Sequence, residues 1–343
     1  MKRILISRTD SIGDVVLTLP MTGVLKETFP DCQVIFLGRS YTRPVIESCR
    51  FVDQFVDLDE ISGTRAIVPG EKKDKAFDVS WGKRQEILAP NLAGLKADAI
   101  IHVFPVKDIC KAAREAKIPL RIATSHRVFT WLTCNRLLHY SRKNSPMHEA
   151  QLNLKLLQPL GITREYSLEE IPKYYGLKAG EPEAQKDEKF RLILHPKSKG
   201  SAREWGLENF GRLVDLLPAG RFEIMVTGTR DEGEMMKDFL RKYHSRITDL
   251  TGQLTLSQLV DLIAHSDGLV AASTGPLHLA AALGKRAIGL YAPMRPIFPQ
   301  RWAPLGNNAS YLVLEKNCND CRRSGDCHCI RSIKPEMVVE KLG

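Results

Sequence analysis

GLVAASTGPLHLAAALGKRAIGLYAP, from Gly268 to Pro293, is the stretch whose reading decides the fold. Gly268–Ala272 is a short apolar run suited to a buried strand. Ser273, Thr274 and Gly275 make a sharp turn. Pro276–Leu283 then reads as a helix ended by Gly284, and Ala287–Tyr291 as a second strand. Strand, turn, helix, strand is the repeating piece of a parallel α/β sheet. The turn has the chemistry of an anion site. A hydroxyl residue caps the helix, glycine allows close approach to the backbone, and proline in the first helical turn has no N–H to leave unpaired. The free N–H groups and the positive end of the helix dipole face whatever lies above, and phosphate suits them best. His278 follows Thr274 by four residues and shares its helix face. Many such turns only cap a helix, so the rest of the chain must carry the argument.

Moving outward through the second half, the same alternation recurs. Phe190–His195 reads as a strand, 196–205 as a loop, Leu207–Leu217 as a helix, Phe222–Thr227 as a strand and Ser257–His265 as a helix. The loop 196–205 is rich in small and basic residues. Lys197, Lys199 and Arg203 offer cations there, and Ser198 and Ser201 offer hydroxyls. Both this loop and the turn at 273–276 follow strands, at the edge where open α/β sheets bind ligands. Two phosphate-friendly loops fit a diphosphate better than a single phosphate. Glu232, just past a strand end, reads either as a contact for ribose hydroxyls or as a plain acid at a helix start.

The first half is a second β/α series. Arg3–Ser7 is a strand, and Arg8-Thr-Asp-Ser-Ile-Gly-Asp14 leads into an apolar helix from Val15 to about Phe29. Only Gly13 is available at this junction, so the three-glycine dinucleotide fingerprint is absent and a dehydrogenase is disfavoured. Asp14 in the first helical turn is either a dipole-compensating acid or a carboxylate placed to act as a general base. Strands follow at Gln33–Gly38, within 51–58, at Ala99–Phe104 and at Leu120–Ala123. A polar loop spans about 60–83, and an amphipathic helix runs from His148 to about Leu160, stopped by Gly161. The expected organisation is an α/β protein of two Rossmann-like, doubly wound domains facing across a cleft. The boundaries are 1–165 for the acceptor domain, 166–186 for a linker, 187–330 for the donor domain and 331–343 for a helix packing back on the first domain.

Composition excludes several classes. The chain has 343 residues, 43% of them hydrophobic, and a formal net charge of +10. No apolar run approaches the roughly 18 residues of a membrane span, and the N-terminus lacks the apolar core of a signal peptide, so a cytoplasmic protein is expected. The positive charge is concentrated. Between Val103 and Lys143 there are nine Lys or Arg against two acids, Asp108 and Glu115. Such a face suits a phosphorylated glycolipid or the inner face of the inner membrane, and no nucleic-acid module accompanies it. Of eight cysteines, Cys32, Cys49, Cys110 and Cys134 are scattered. Cys318, Cys321, Cys327 and Cys329 form a cluster read as structural, whether as thiols, a disulfide or a metal clip.

Three segments in this order, RTDSIGDVVLTLP (Arg8–Pro20), HPKSKGSAREWGLENF (His195–Phe210) and STGPLHLAAALG (Ser273–Gly284), resemble glycosyltransferase family 9, the lipopolysaccharide heptosyltransferases. The resemblance covers nearly the whole chain. It implies a GT-B fold, acceptor on the first domain, nucleotide-sugar donor on the second, and inversion at the anomeric carbon. It places the catalytic base at Asp14 and the group that stabilises the departing diphosphate at Arg203. Donor contacts fall on Lys197, Ser198, Ser201, Glu232, Ser273, Thr274, Gly275 and His278, and acceptor contacts on Gly13, Arg121 and His148. No cofactor or metal is required. The favoured donor is ADP-heptose and the favoured acceptor a phosphorylated core-type glycolipid. One position departs: family members usually have Asp where this chain has Ser273, which bears on the choice of sugar or nucleotide. A sugar-nucleotide epimerase of the same fold, or a non-catalytic nucleotide- or glycan-binding relative, are the alternatives.

Overall fold

Arg3–Ser7 is buried from Ile4 onward and forms the central strand of a parallel sheet. In the computed structural model, residues 1–63, 81–142, 145–177, 189–294, 297–314 and 327–343 are described. The chain divides into two units, Met1–Ser145 with Glu149–Leu177, and Pro146–His148 with Lys178–Gly343. Parts of the expected 60–83 loop and of the linker, together with Lys143, Cys318 and Cys321, lie outside the described residues.

Unit 1 runs β1 (Arg3–Ser7), α1 (Ile12–Val16), α2 (Pro20–Thr28), β2 (Gln33–Gly38), α3 (Arg43–Glu47), β3 (Gln54–Asp57), α4 (Leu58–Ile61), α5 (Trp81–Gly94), β4 (Ala99–His102), α6 (Lys107–Glu115), β5 (Leu120–Thr124), α7 (Val128–Thr133), β6 (Arg136–Leu138) and α8 (Glu149–Leu154). Its six strands are ordered β3-β2-β1-β4-β5-β6, each paired parallel to its neighbours. Parallel strands carry helices on both faces, which is why β1, β2 and β4 are almost uniformly apolar rather than alternating. Leu5, Ile35 and Ile100 meet Leu88, Leu92, Ile109 and Ala113 of the covering helices in one core.

Unit 2 runs β7 (Phe190–His195), α9 (Leu207–Leu216), β8 (Phe222–Val226), α10 (Arg230–Met235), α11 (Lys237–Lys242), β9 (Ile247–Asp249), α12 (Leu256–Ala264), β10 (Gly268–Ala272), α13 (Gly275–Ala282), β11 (Arg286–Tyr291), α14 (Pro299–Trp302), β12 (Ala309–Val313), α15 (His328–Arg331) and α16 (Pro335–Leu342). The order β12-β11-β10-β7-β8-β9 is the same doubly wound pattern, with β7 in the place that β1 holds in unit 1. The decisive stretch is therefore a β-α-β unit, as its sequence predicts.

Several expectations need correction. The helix expected from Val15 to Phe29 is two helices, because Pro20 starts a new one at α2 and cannot continue the hydrogen-bonding of α1. The helix expected from His148 to Leu160 is α8 followed by a 3-10 segment, Lys155–Leu160, with Pro159 inside it. Gly161 closes it at φ 88°, as expected of a C-terminal glycine. The linker was expected to begin at 166, but residues up to 177 belong to unit 1. Tyr166, Ile171, Tyr174 and Tyr175 are buried, and α2 approaches this segment so closely that a Cβ on Gly23 would lie 2.5 Å from the Tyr174 carbonyl oxygen. Val338 and Leu342 of α16 join the unit 2 core beside Leu213 and Val214 of α9.

Candidate functional site

In unit 2 the strand order reverses at β7, so the loops after β7 and β10 part company at the carboxyl edge of adjacent strands. This switch point is where open α/β sheets take ligands. Thr274 is the N-cap residue of α13, with extended φ −127° and ψ 165°, yet its side chain does not cap the helix. Its hydroxyl is buried without a hydrogen-bond partner, and so is Nδ1 of His278 one turn along. A buried polar atom left unpaired costs about 1–3 kcal/mol, so two of them at one helix start leave hydrogen-bonding capacity that a ligand could satisfy. Burial, and next the neighbouring His148, lower the His278 pKa to about 3, so this imidazole is neutral and offers one donor and one acceptor.

The loop after β7 is organised by a residue the sequence reading passed over, Glu204. Its Oε1 accepts from the Ser198 backbone N–H at 3.1 Å and the Ser198 hydroxyl at 3.3 Å, and its Oε2 pairs with Lys197 Nζ. Ser198 also donates to the Ala202 carbonyl at 2.9 Å, and Ser201 Oγ to the Ser198 carbonyl at 2.7 Å. Lys197, Ser198 and Ser201 thus shape the loop, with the chain turning through Lys199 at φ 49° and Gly200 at φ 80°. Trp205 pins the far end: it is fully buried, stacks edge-on against Phe210 at 4.9 Å and donates Nε1–H to the Ile333 carbonyl at 2.8 Å. Arg203 is half-buried between these anchors. Glu232 forms a capping box with Thr229, its Oε2 accepting from the Thr229 N–H at 2.7 Å and hydroxyl at 3.0 Å. The plainer reading of Glu232 as a helix-start acid is what this geometry shows. Ser273 lies against Tyr291, whose pKa burial raises while Ser273 opposes.

In unit 1 the corresponding switch point lies between β1 and β4. Gly13 is buried in α1, and Asp14 follows it in the first turn. The Asp14 carboxylate is held from two sides, by the Arg8 guanidinium at Oδ1 and the Ser11 hydroxyl at Oδ2. Arg8 is the centre of a charge cluster that the sequence reading did not single out. Its Nε pairs with Asp10 at 2.6 Å, and its Nη1 lies 3.7 Å from Glu149, too far for a hydrogen bond. Burial opposes the Arg8 charge, but Asp14, Asp10 and Glu149 outweigh it and raise the pKa. Burial also raises Asp10 against the pull of Arg8. Arg142 completes the cluster, pairing with Glu149 and donating to Asn153 Oδ1 at 2.8 Å and to the Val103 carbonyl at 3.0 Å. The available signal was a cation ending a buried strand with two acids after it, a pattern that requires mutual pairing.

Two acceptor-side expectations fare differently. Arg121 sits near the start of β5, away from the ligand-binding strand ends, and donates to the Thr133 and Ile118 carbonyls. It staples the segment after α7 to β5. His148 groups with unit 2, where Nε2–H donates to the Ala303 carbonyl at 3.0 Å and the ring neighbours His278. Cys327 and Cys329 are buried in the unit 2 core.

The family model of glycosyltransferase family 9 (heptosyltransferase) matches residues 109–329. The chain is 22% identical over 341 residues to the lipooligosaccharide heptosyltransferase 2 of Campylobacter jejuni, covering 96% of this chain and 94% of the relative. Among solved structures, Escherichia coli ADP-heptose lipopolysaccharide heptosyltransferase II superposes with a TM-score of 0.74 at 18% identity, covering 100% of this chain and 97% of that one. The Escherichia coli heptosyltransferase WaaC solved with ADP gives a TM-score of 0.72 at 16% identity, covering 99% and 98%. At these identities the superpositions speak to the fold alone.

Proposed function

The chain belongs to glycosyltransferase family 9, and from that premise we propose that it moves heptose from ADP-heptose onto a phosphorylated core-type glycolipid, with inversion. The observation that carries the donor half is the pair of unpartnered buried groups, Thr274 Oγ1 and His278 Nδ1, at the start of α13. A diphosphate oxygen placed there would receive the Thr274 hydroxyl and the helix N–H groups, and the neutral His278 ring would satisfy its own open nitrogen. Arg203 stabilises the charge that grows on the leaving diphosphate, a role that only a cation near the breaking bond can fill. With the α13 dipole it supplies the positive charge for which other transferases recruit a divalent ion, so the reaction as proposed is metal-independent.

Asp14 is the proposed general base. Ser11 and Arg8 fix its carboxylate, which is the orientation a base needs before it removes the proton from an attacking hydroxyl. Beside it, the exposed Phe104 ring has Arg8 and Arg127 each at 5.9 Å from its centroid, a platform for a sugar face flanked by cations for its phosphate. Inner-leaflet docking has support in α7, where Val128, Trp131 and Leu132 are 82%, 58% and 69% exposed next to the basic face of α6. No helix among the described residues is long and apolar enough to cross a membrane. Family membership favours transfer over the epimerase alternative, and the presence of both Asp14 and Arg203 favours turnover over bare binding.

Calorimetry with ADP, UDP and GDP tests this reading. ADP preference, weakened at least tenfold by Arg203→Ala, is the expected result. Preference for UDP or GDP would replace the sugar donor and implicate Ser273. Binding of none of the three would sink the proposal.

A further inference from the structure

Away from both sites, unit 1 brings an imidazole and two thiols together. His102 ends β4, Cys110 lies on the inward face of α6, and Cys134 directly follows α7. All three are buried, and their ligand-capable atoms lie within 4.8 Å of one another. A bound ion with bonds of about 2.0–2.3 Å draws such atoms to roughly 4 Å apart, a small adjustment. The second observation is independent of the spacing. His102 has no solvent exposure, and neither of its ring nitrogens has a hydrogen-bond partner. A neutral imidazole carries one donor and one acceptor, and burying both unmet is costly enough that native interiors rarely do it.

We propose that His102, Cys110 and Cys134 form a structural site for a thiophilic metal ion, Zn(II) or Cu(I), that clamps α6 and the segment after α7 onto β4. The donor set is soft, nitrogen and sulfur with no carboxylate, which selects these ions over magnesium or calcium. Binding releases the thiol protons to solvent, and two thiolates balance Zn(II) or, with the nearby Arg121 cation, Cu(I). A core histidine beside two ordinary thiols, or a Cys110–Cys134 disulfide, would leave His102 as unpaired as it now is.

The test uses the full chain, purified under reducing anaerobic conditions, stripped with chelator, resupplied with Zn(II) or Cu(I) and freed of excess. Metal per chain is read by plasma mass spectrometry for the natural protein and for Cys110→Ser, Cys134→Ser, His102→Leu and the control Cys32→Ser. The Cys318–Cys329 cluster contributes equally to all, so the difference is the readout. Loss of one equivalent in the first three variants and none in the control supports the site, and the ion retained tells Zn(II) from Cu(I). Equal metal in all five proteins overturns it, as does a Cys110–Cys134 disulfide in the natural protein's peptide map. Should the variants not fold, hydrogen exchange on the natural protein decides. Metal must slow exchange at 99–115 and 128–138, and slowing confined to 327–331, or none at all, refutes the site.

Discussion

At the scale of single residues, the proposed chemistry rests on groups held by partners the motifs do not name. Asp14 was legible because it opens a helix at a strand end. Arg8, which positions it, was legible only as a cation followed by Asp10 and Asp14, since Glu149 and Arg142 arrive from far along the chain. Asp14→Asn keeps the shape and the Ser11 contact but removes the base, so steady-state transfer should fall about 10²–10⁴-fold while calorimetric ADP affinity stays unchanged. A loss of ADP affinity instead would mean that Asp14 serves folding rather than chemistry. His278 makes a prediction about pH. Its folded pKa, about 3, lies below the ordinary 6.5, so between these values the unfolded chain binds a proton that the native state does not. Stability therefore rises with pH through this window and falls on acidification, by about 1.4 kcal/mol per pH unit for this one ring. Denaturant titrations from pH 4 to 7 should show His278→Gln with the shallower slope, and identical slopes would rule the assignment out.

At the scale of elements, periodicity located strands and helices well and their interruptions poorly. Pro20 and Pro159 were visible in the sequence, but whether a proline kinks, ends or restarts a helix depends on what covers the freed carbonyls. The short strands β6, β9 and β12 were missed because three to five residues beside polar turns carry little pattern. Gly23 shows how packing fixes an element that sequence reads as linker. A Cβ there meets the Tyr174 carbonyl at 2.5 Å, and backbone cannot move aside, so Gly23→Ala should destabilise the protein by about 1–3 kcal/mol in chemical denaturation. Unchanged stability would show that the 171–174 turn is not held against α2. The α7 face predicts a surface measurement. Trp131→Ala with Leu132→Ala should lower partition onto anionic phospholipid vesicles about tenfold or more. Unchanged partition would remove the apolar half of the docking argument.

At the scale of the whole molecule, one pattern is used twice. The strand orders of the two units are the same, and in each unit the proposed site residues lie at its own switch point, on the loops after its first and fourth strands. Repetition made the fold class readable from one strand-turn-helix-strand stretch, because any chain that alternates this way has few other ways to bury its sheets. What repetition does not reveal is where the chain passes from one unit to the other. Residues 146–148 group with unit 2 although their neighbours on both sides belong to unit 1, and α16 contributes Val338 and Leu342 to the core of unit 2. These placements depend on long-range packing that leaves no local period. They also yield a test of autonomy. Every strand of the second sheet, the Trp205 anchor and the α13 start lie within 178–343, so that fragment should fold with its own cooperative transition and bind ADP. It lacks His148, which neighbours His278 and donates to Ala303, so its ADP affinity should fall several-fold relative to the full chain. Supplying 146–148 by fusion ahead of residue 178 would not restore the geometry, whereas restoring the full chain would. A fragment that folds and binds ADP as tightly as the full chain would show that the 146–148 crossing has no part in the donor site. A fragment that folds without binding ADP would show that residues 178–343 alone do not contain the donor site.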